Sequence, residues 1–354
     1  MLLAIALLIS LFFAINIGAS GTAASMGAAY GGGAIKTKWI ALVLVGLSII
    51  LGAFTGGEEV VKTIGEGIIP SNLFDIKITI IILASACITL FIANILGIPL
   101  STSEVTVGSV IGVGVAYQSL YIQKILFIMS IWLILPFAAF GIAYALGKMI
   151  PFLESKLYSF QKQNIVQKAL ALLLIVAGCY EAFSAGMNNV ANAVGPLVAT
   201  GLINTNKAII LGGIFVASGA VALGGKVLET NSKKITRLSL LQGCVVSFTS
   251  GTLVIIASIF GLPVPLTQAT TMAIFGIGTS DRGINLWKSD IVKRILIIWI
   301  VSPVSSMVIS FTLVNTMIED NIYIVIIIIA SFITSLGYIG LKNNYERYRQ
   351  FSNF

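Results

Sequence analysis

Residues 186–199 read GMNNVANAVGPLVA and residues 18–27 read GASGTAASMG, two glycine-bounded stretches of small residues set inside long apolar runs. The offset that aligns them also pairs Gly33 with Gly201, and the doublet Gly56, Gly57 with Gly224, Gly225. Further on, ANILGIPLSTSEVTVGSVIGVG (93–114) aligns with ASIFGLPVPLTQATTMAIFGIG (257–278), matching Gly97, Pro99, Thr106, Gly112 and Gly114 to Gly261, Pro263, Thr270, Gly276 and Gly278. Matches that are sparse but keep their order are the mark of an internal duplication.

The surrounding sequence is 57% apolar and only 10% charged over 354 residues, against about 25% charged in an average soluble domain. Apolar runs near the ~20 residues needed to cross a bilayer recur from end to end. They predict an all-α polytopic membrane protein with about eleven spans, near 1–35, 39–56, 78–96, 98–117, 122–147, 169–203, 207–225, 239–261, 262–280, 294–315 and 321–341. The first and sixth are over-long and interrupted by small polar residues, so each is expected to be a broken or re-entrant element. Residues 1–17 lack a basic n-region and are read as part of the first span, not as a secretory signal. The expected organisation is one transporter domain over 1–341, with repeat one at about 1–147 and repeat two at about 169–341. Residues 148–168 form a cytoplasmic linker between them, and 342–354 a cytoplasmic tail.

Loop charges orient the chain. With the N-terminus outside, the cytoplasmic connections hold Lys36, Lys38 and the Lys/Arg-rich segments 148–168, 226–237, 281–294 and 342–349, while Glu319, Asp320 and the acidic segment 58–77 lie outside. The opposite orientation inverts the positive-inside bias, so the C-terminus is expected in the cytoplasm. The same connections account for the net charge of +8, and no nucleic-acid partner is implied. In this orientation the loop after the first glycine doublet is external and the loop after the second is cytoplasmic, so the repeats are inverted. Inverted repeats with Gly/Pro-interrupted apolar segments point to a secondary transporter whose site lies where the repeats meet.

Composition and motifs argue against an enzyme, hydrolytic enzymes first. There is no histidine, so the usual proton shuttle, the commonest zinc ligand and the base of a Ser/His or Cys/His system are missing. Cys87, Cys179 and Cys244 are far apart and form no CxxC or disulfide framework. HExxH, GxSxG and a phosphate-binding Walker loop are absent; at the nearest candidate, Gly225 and Lys226 are followed by Val227 and Ala220 stands in the leading glycine position. No cofactor and no metal site are expected.

Two strips carry binding chemistry. Residues 101–106 read STSEVT behind Pro99, and 265–270 read PLTQAT behind Pro263. A proline ahead of a short hydroxyl-rich run and then a small-residue helix is how a half-helix begins at membrane depth. The free N–H groups and positive dipole end of such a helix favour an anion, and two of them can hold one oxyanion from both sides. Ser101, Thr102, Ser103 and Thr267 add donors, although each hydroxyl has a competing use as a cap or back-bond. The first interrupted segment contributes Ser20, Gly21 and Thr22; the second contributes Asn188, Asn189 and Asn192, amides that are costly at this depth unless paired. Gly27, Gly31, Gly108 and Gly112 are read as close helix packing. The acids at membrane depth are Glu104 and Glu181, both candidates for proton coupling.

At these residues the chain resembles the inorganic phosphate transporter (PiT) family, whose duplicated signature is similar to GANDVANA and whose later strips are similar to Gly-x-Pro-Val-Ser-Thr-Thr-His. The match at 186–199 is close, while 18–27 is degenerate. The resemblance places the family aspartates at Gly21 and Asn189, and the family histidines at Glu104 and Gln268. Those aspartates are associated with sodium in the family, so their loss argues against sodium coupling, and the pattern looks like the branch described as sulfate permeases. The chemistry agrees: phosphate near neutral pH carries protons and needs an acceptor, whereas sulfate only accepts hydrogen bonds, so replacing Asp by Gly or Asn suits sulfate. The expected function is proton-coupled sulfate uptake across a bacterial cell membrane, with phosphate, thiosulfate or molybdate as alternative cargo and an anion channel ranked below a carrier. The expected partners are sulfate, protons and the bilayer; the lipid-facing surface is also compatible with a homodimer. An ionised Glu104 beside a dianion would repel it, so anion and proton are expected to bind together, with Glu181 in reserve.

Overall fold

The computed structural model describes residues 1–96, 100–161, 164–235, 238–283, 290–321, 323 and 326. At the N-terminal end, α1 (Leu2–Ala19) runs into a 3-10 segment, Gly21–Met26, and a short α2 (Gly27–Gly31). Then come α3 (Lys38–Gly56), α4 (Glu58–Glu66), α5 (Ile76–Leu96), α6 (Thr102–Ala116) and α7 (Ile122–Gln161). After α7 follow α8 (Asn164–Ala199), α9 (Thr205–Leu223), α10 (Gly225–Ile235), α11 (Leu240–Ile259), α12 (Leu266–Arg282) and α13 (Asp290–Met317). Every regular element among the described residues is helical, as a chain without water to satisfy its backbone requires.

Eight of these helices are long and apolar enough to cross a membrane. Two of the expected spans are not: α6 has 15 residues and α12 has 17. At 1.5 Å per residue they reach about 22 and 25 Å, short of a ~30 Å hydrocarbon core. Both begin at the hydroxyl-rich strips, as half-helices should. The remaining expected span, 321–341, lies outside the described residues except at 321, 323 and 326, and so do the tail 342–354, Gly97 and Pro99.

The two over-long segments behave differently. The first breaks after Ala19, as expected, with Ser20 as its C-cap. The second does not break: α8 is one helix from Asn164 to Ala199 in spite of Gly178, Gly186, Gly195 and Pro196. Its asparagines spend their hydrogen bonds on other elements and leave the helical ladder intact. The expected linker 148–168 is also largely helical, since α7 extends to Gln161 and α8 starts at Asn164.

Packing follows the duplication. α1 lies on α9 as α8 lies on α3, α5 lies on α1 as α11 lies on α8, and α6 lies on α13 as α12 lies on α7; exchanging the repeats turns each pair into the other. The closest crossings use glycine at both places. A Cβ on Gly18 would stand 1.9 Å from the Val216 carbonyl oxygen, and one on Gly186 would stand 2.2 Å from that of Ile49. Gly33 and Gly201, aligned by the repeat, end their segments in the same left-handed conformation, φ 75° and 71°. Gly31, Gly108 and Gly112 serve packing as expected, each with a backbone carbonyl of another helix within 2.7 Å of the position a Cβ would take.

Two apolar cores result. One is built mainly from α1 to α4, α8 and α9, the other mainly from α6, α7, α11 and α12; α5, α6, α8 and α11 contribute to both. Large side chains such as Leu51, Phe54, Phe127 and Leu133 remain exposed on the outside, as suits a lipid-facing surface. The polar strips lie where the cores meet.

Candidate functional site: a polar cavity between two half-helices

A small cavity opens at that seam, lined by Ser20, Gly21, Leu100, Ser101, Thr102, Asn189, Leu266 and Thr267. The break after α1 brings Ser20 and Gly21, α8 brings Asn189, and the starts of α6 and α12 supply the rest. Ser101 caps α6, its hydroxyl accepting from the Glu104 N–H at 3.4 Å. Pro265 caps α12 without a side-chain bond. Trp132 on α7 donates from Nε1 to the Pro263 carbonyl at 2.7 Å and so fixes the segment leading into α12.

Behind the cavity lies a closed hydrogen-bond network. Thr102 donates to Asn189 Oδ1 at 3.0 Å. Ser103 stands 3.1 Å from both Asn188 Oδ1 and the Val264 carbonyl. Asn188 accepts from the Val264 N–H at 3.0 Å and donates to Ser258 Oγ and the Leu262 carbonyl, both at 2.9 Å. Asn192 donates from Nδ2 to Thr102 at 3.3 Å and to Ser103 at 3.2 Å.

A second cavity shares Ser101 and Thr267 with the first and adds Glu104, Gln268, Thr271, Ile298 and Trp299. Gln268 donates from Nε2 to Glu104 Oε1. These two residues are 164 positions apart, the offset of the second matching stretch. Equivalent residues of the two matching stretches therefore touch each other here. Glu181 is elsewhere, buried on α8, with Thr270 of α12 donating to its Oε1 at 2.6 Å.

The sequence candidates therefore divide. Ser20, Gly21, Ser101, Thr102, Asn189 and Thr267 line one cavity. Ser103 and Asn188 stand behind it as braces, Gln268 faces Glu104 next door, Glu181 is separate, and the side chain of Thr22 lies outside the described residues. The hydroxyl of Ser20 is committed to the Ile17 carbonyl at 2.9 Å. Leu100, Leu266, Trp132 and the bracing role of Asn192 were missed. Leu266 had a legible signal, because it aligns with Thr102 in the repeat.

A model of the phosphate transporter family matches residues 17–310, most of the chain. The chain belongs to the phosphate transporter family. Among its relatives, the sulfate permease CysP of Bacillus subtilis is 50% identical over 345 residues, covering 98% of this chain and 96% of that protein. A putative phosphate permease of Pyrococcus furiosus is 29% identical, over 85% of this chain and 92% of the relative. The solved structure of a sodium-dependent phosphate transporter superposes with a TM-score of 0.78 at 26% identity, covering 88% of this chain and 97% of that one. Gly21 and Asn189, the two positions at which the resemblance leads one to expect aspartate, both line the cavity. A Cβ on Gly21 would stand 2.6 Å from Thr267 Cγ2, so a carboxylate there would meet the facing half-helix.

Proposed function

We propose that this chain is a carrier, not an enzyme, and that it takes inorganic sulfate into the cell across the plasma membrane together with protons. One observation carries the reading: the described lining of the cavity holds an amide, hydroxyls and two helix N-termini, and no carboxylate. Such a lining offers donors to an anion that only accepts. The half-identical sulfate permease of Bacillus subtilis supports the same cargo. Glu104, one wall away across Ser101 and Thr267, is the acid placed to take a proton as the dianion binds, with Glu181 in reserve. Ser20, Gly21, Thr22, Ser101, Thr102, Ser103, Asn188, Asn189, Thr267 and Gln268 form the proposed binding set; the cavity contacts of the first-named lining residues and the bracing by Ser103 and Asn188 support it. Uptake of labelled sulfate in cells lacking their own system, competed with phosphate, tests the cargo: sulfate uptake should resist an equal concentration of phosphate, and displacement by phosphate would sink the donor-only argument.

A further inference from the structure

The polarity of the network behind the cavity is fixed by backbone groups at one end, and it ends on a cavity-lining side chain at the other. Asn188 cannot be turned around, because its Oδ1 meets the Val264 N–H and its Nδ2 meets the Leu262 carbonyl. Ser103 therefore faces two acceptors, Asn188 Oδ1 and the Val264 carbonyl, and its proton is committed to them. The group that meets Ser103 from the other side must be a donor, which sets Asn192 with Nδ2 forward. The same Nδ2 reaches Thr102, so Thr102 sends its own proton to Asn189 Oδ1. With Oδ1 taken, the part of Asn189 left for the cavity is its NH2. The cost is visible at Asn192, fully buried, whose Oδ1 has no partner among the described residues. A buried acceptor without a partner calls for an explanation, and the Nδ2-forward orientation that Thr102 and Ser103 require supplies one.

We propose that Asn192, which does not line the cavity, is a specificity-determining positioning residue: acting through Thr102, it holds the Asn189 amide donor-forward and makes the site select fully deprotonated oxyanions over protonated ones. The inference rests on the sulfate reading above and deepens it. A carboxylate at position 192 has no N–H to give. Ser103 must then turn its proton to the carboxylate, leaving Asn188 Oδ1 its Val264 N–H; Thr102 donates to the carboxylate as well, Thr102 Oγ1 becomes an acceptor for the Asn189 NH2, and the Asn189 carbonyl oxygen turns to the cavity. An acceptor there suits the proton of monohydrogen phosphate and opposes sulfate.

The test measures initial uptake of labelled sulfate and labelled phosphate, normalised to the amount of inserted protein, for wild type, Asn192→Asp, Thr102→Val and Thr102→Ser. Added negative charge weakens every dianion, so the readout is the sulfate-to-phosphate ratio. It should fall at least about tenfold in Asn192→Asp. It should fall in the uncharged Thr102→Val, which frees Asn189, and stay near wild type in Thr102→Ser, which keeps the hydroxyl. A merely structural role would lower both cargoes together and leave the ratio alone. Unchanged ratios in Asn192→Asp and Thr102→Val, beside a wild type that prefers sulfate, overturn the relay and leave the transport reading standing. A wild type without that preference overturns the reading itself, and the inference with it.

Discussion

Ser103 and Asn188 show what a polar side chain is worth at membrane depth. Neither lines the cavity, yet Asn188 alone satisfies two backbone groups of the segment that starts α12, the Leu262 carbonyl and the Val264 N–H. Removing a partner from a buried pair costs about 1–3 kcal/mol, because the group left behind has no water to turn to. Asn188→Ala should therefore lower sulfate uptake at low substrate by about tenfold or more, and Ser103→Ala by less, since the Asn188 bonds to backbone survive. Uptake assays paired with quantification of membrane-inserted protein check this; near-normal uptake in both variants would contradict the site. The amides were legible in the sequence as a cluster needing partners. Which atoms they meet was not, because Thr102 and Ser103 come from a helix more than eighty positions away.

Helix crossings in this protein are set by glycine, since lipid supplies no hydrophobic drive and close backbone contact must do the work. Gly186 places α8 against α3 so closely that a Cβ would stand 2.2 Å from the Ile49 carbonyl oxygen. Gly141 on α7 meets nothing within 4 Å. Gly186→Val should cost more than about 3 kcal/mol through backbone displacement, while Gly141→Ala should be close to neutral. Thermal stability of the two purified variants in detergent, read side by side, checks the contrast; equal stability would mean that α3 and α8 do not hold this crossing. At this scale the sequence misled at the second signature: glycine and asparagine at 186–192 read as a break, yet α8 passes through them. The equivalent segment 18–27 does break.

For the whole molecule, the Glu104–Gln268 contact and the two cavities sharing Ser101 and Thr267 put the proposed proton carrier one wall from the proposed anion cavity. An ionised Glu104 repels a dianion and a protonated one does not, so protons favour binding and binding favours the proton. Uptake should accelerate as external pH falls, ignore sodium, and lose its pH dependence in Glu104→Gln, which imitates the protonated acid. A full pH response in that variant would move the role to Glu181, and a strict sodium requirement would remove the proton reading. Orientation is open to a separate check. An epitope inserted at residue 163 should be protected from antibody in intact cells, and one placed between Glu319 and Asp320 should be labelled, as the distribution of Lys and Arg over the loops requires. The reverse pattern would put the N-terminus inside.

The sequence by itself determined the membrane class, the duplication, the start of both half-helices and the residue types at the site, because each is written in local composition or in a fixed offset between two stretches. The tertiary structure decided the rest. It made α6 and α12 too short to cross, kept α8 whole, separated the cavity-lining Asn189 from the bracing Asn188 next to it, and brought Glu104 against its own repeat equivalent. The physical reason is common to all four. In a low-dielectric interior a polar group without a partner is costly, and which partner it finds depends on helices that are distant in sequence and adjacent only after folding.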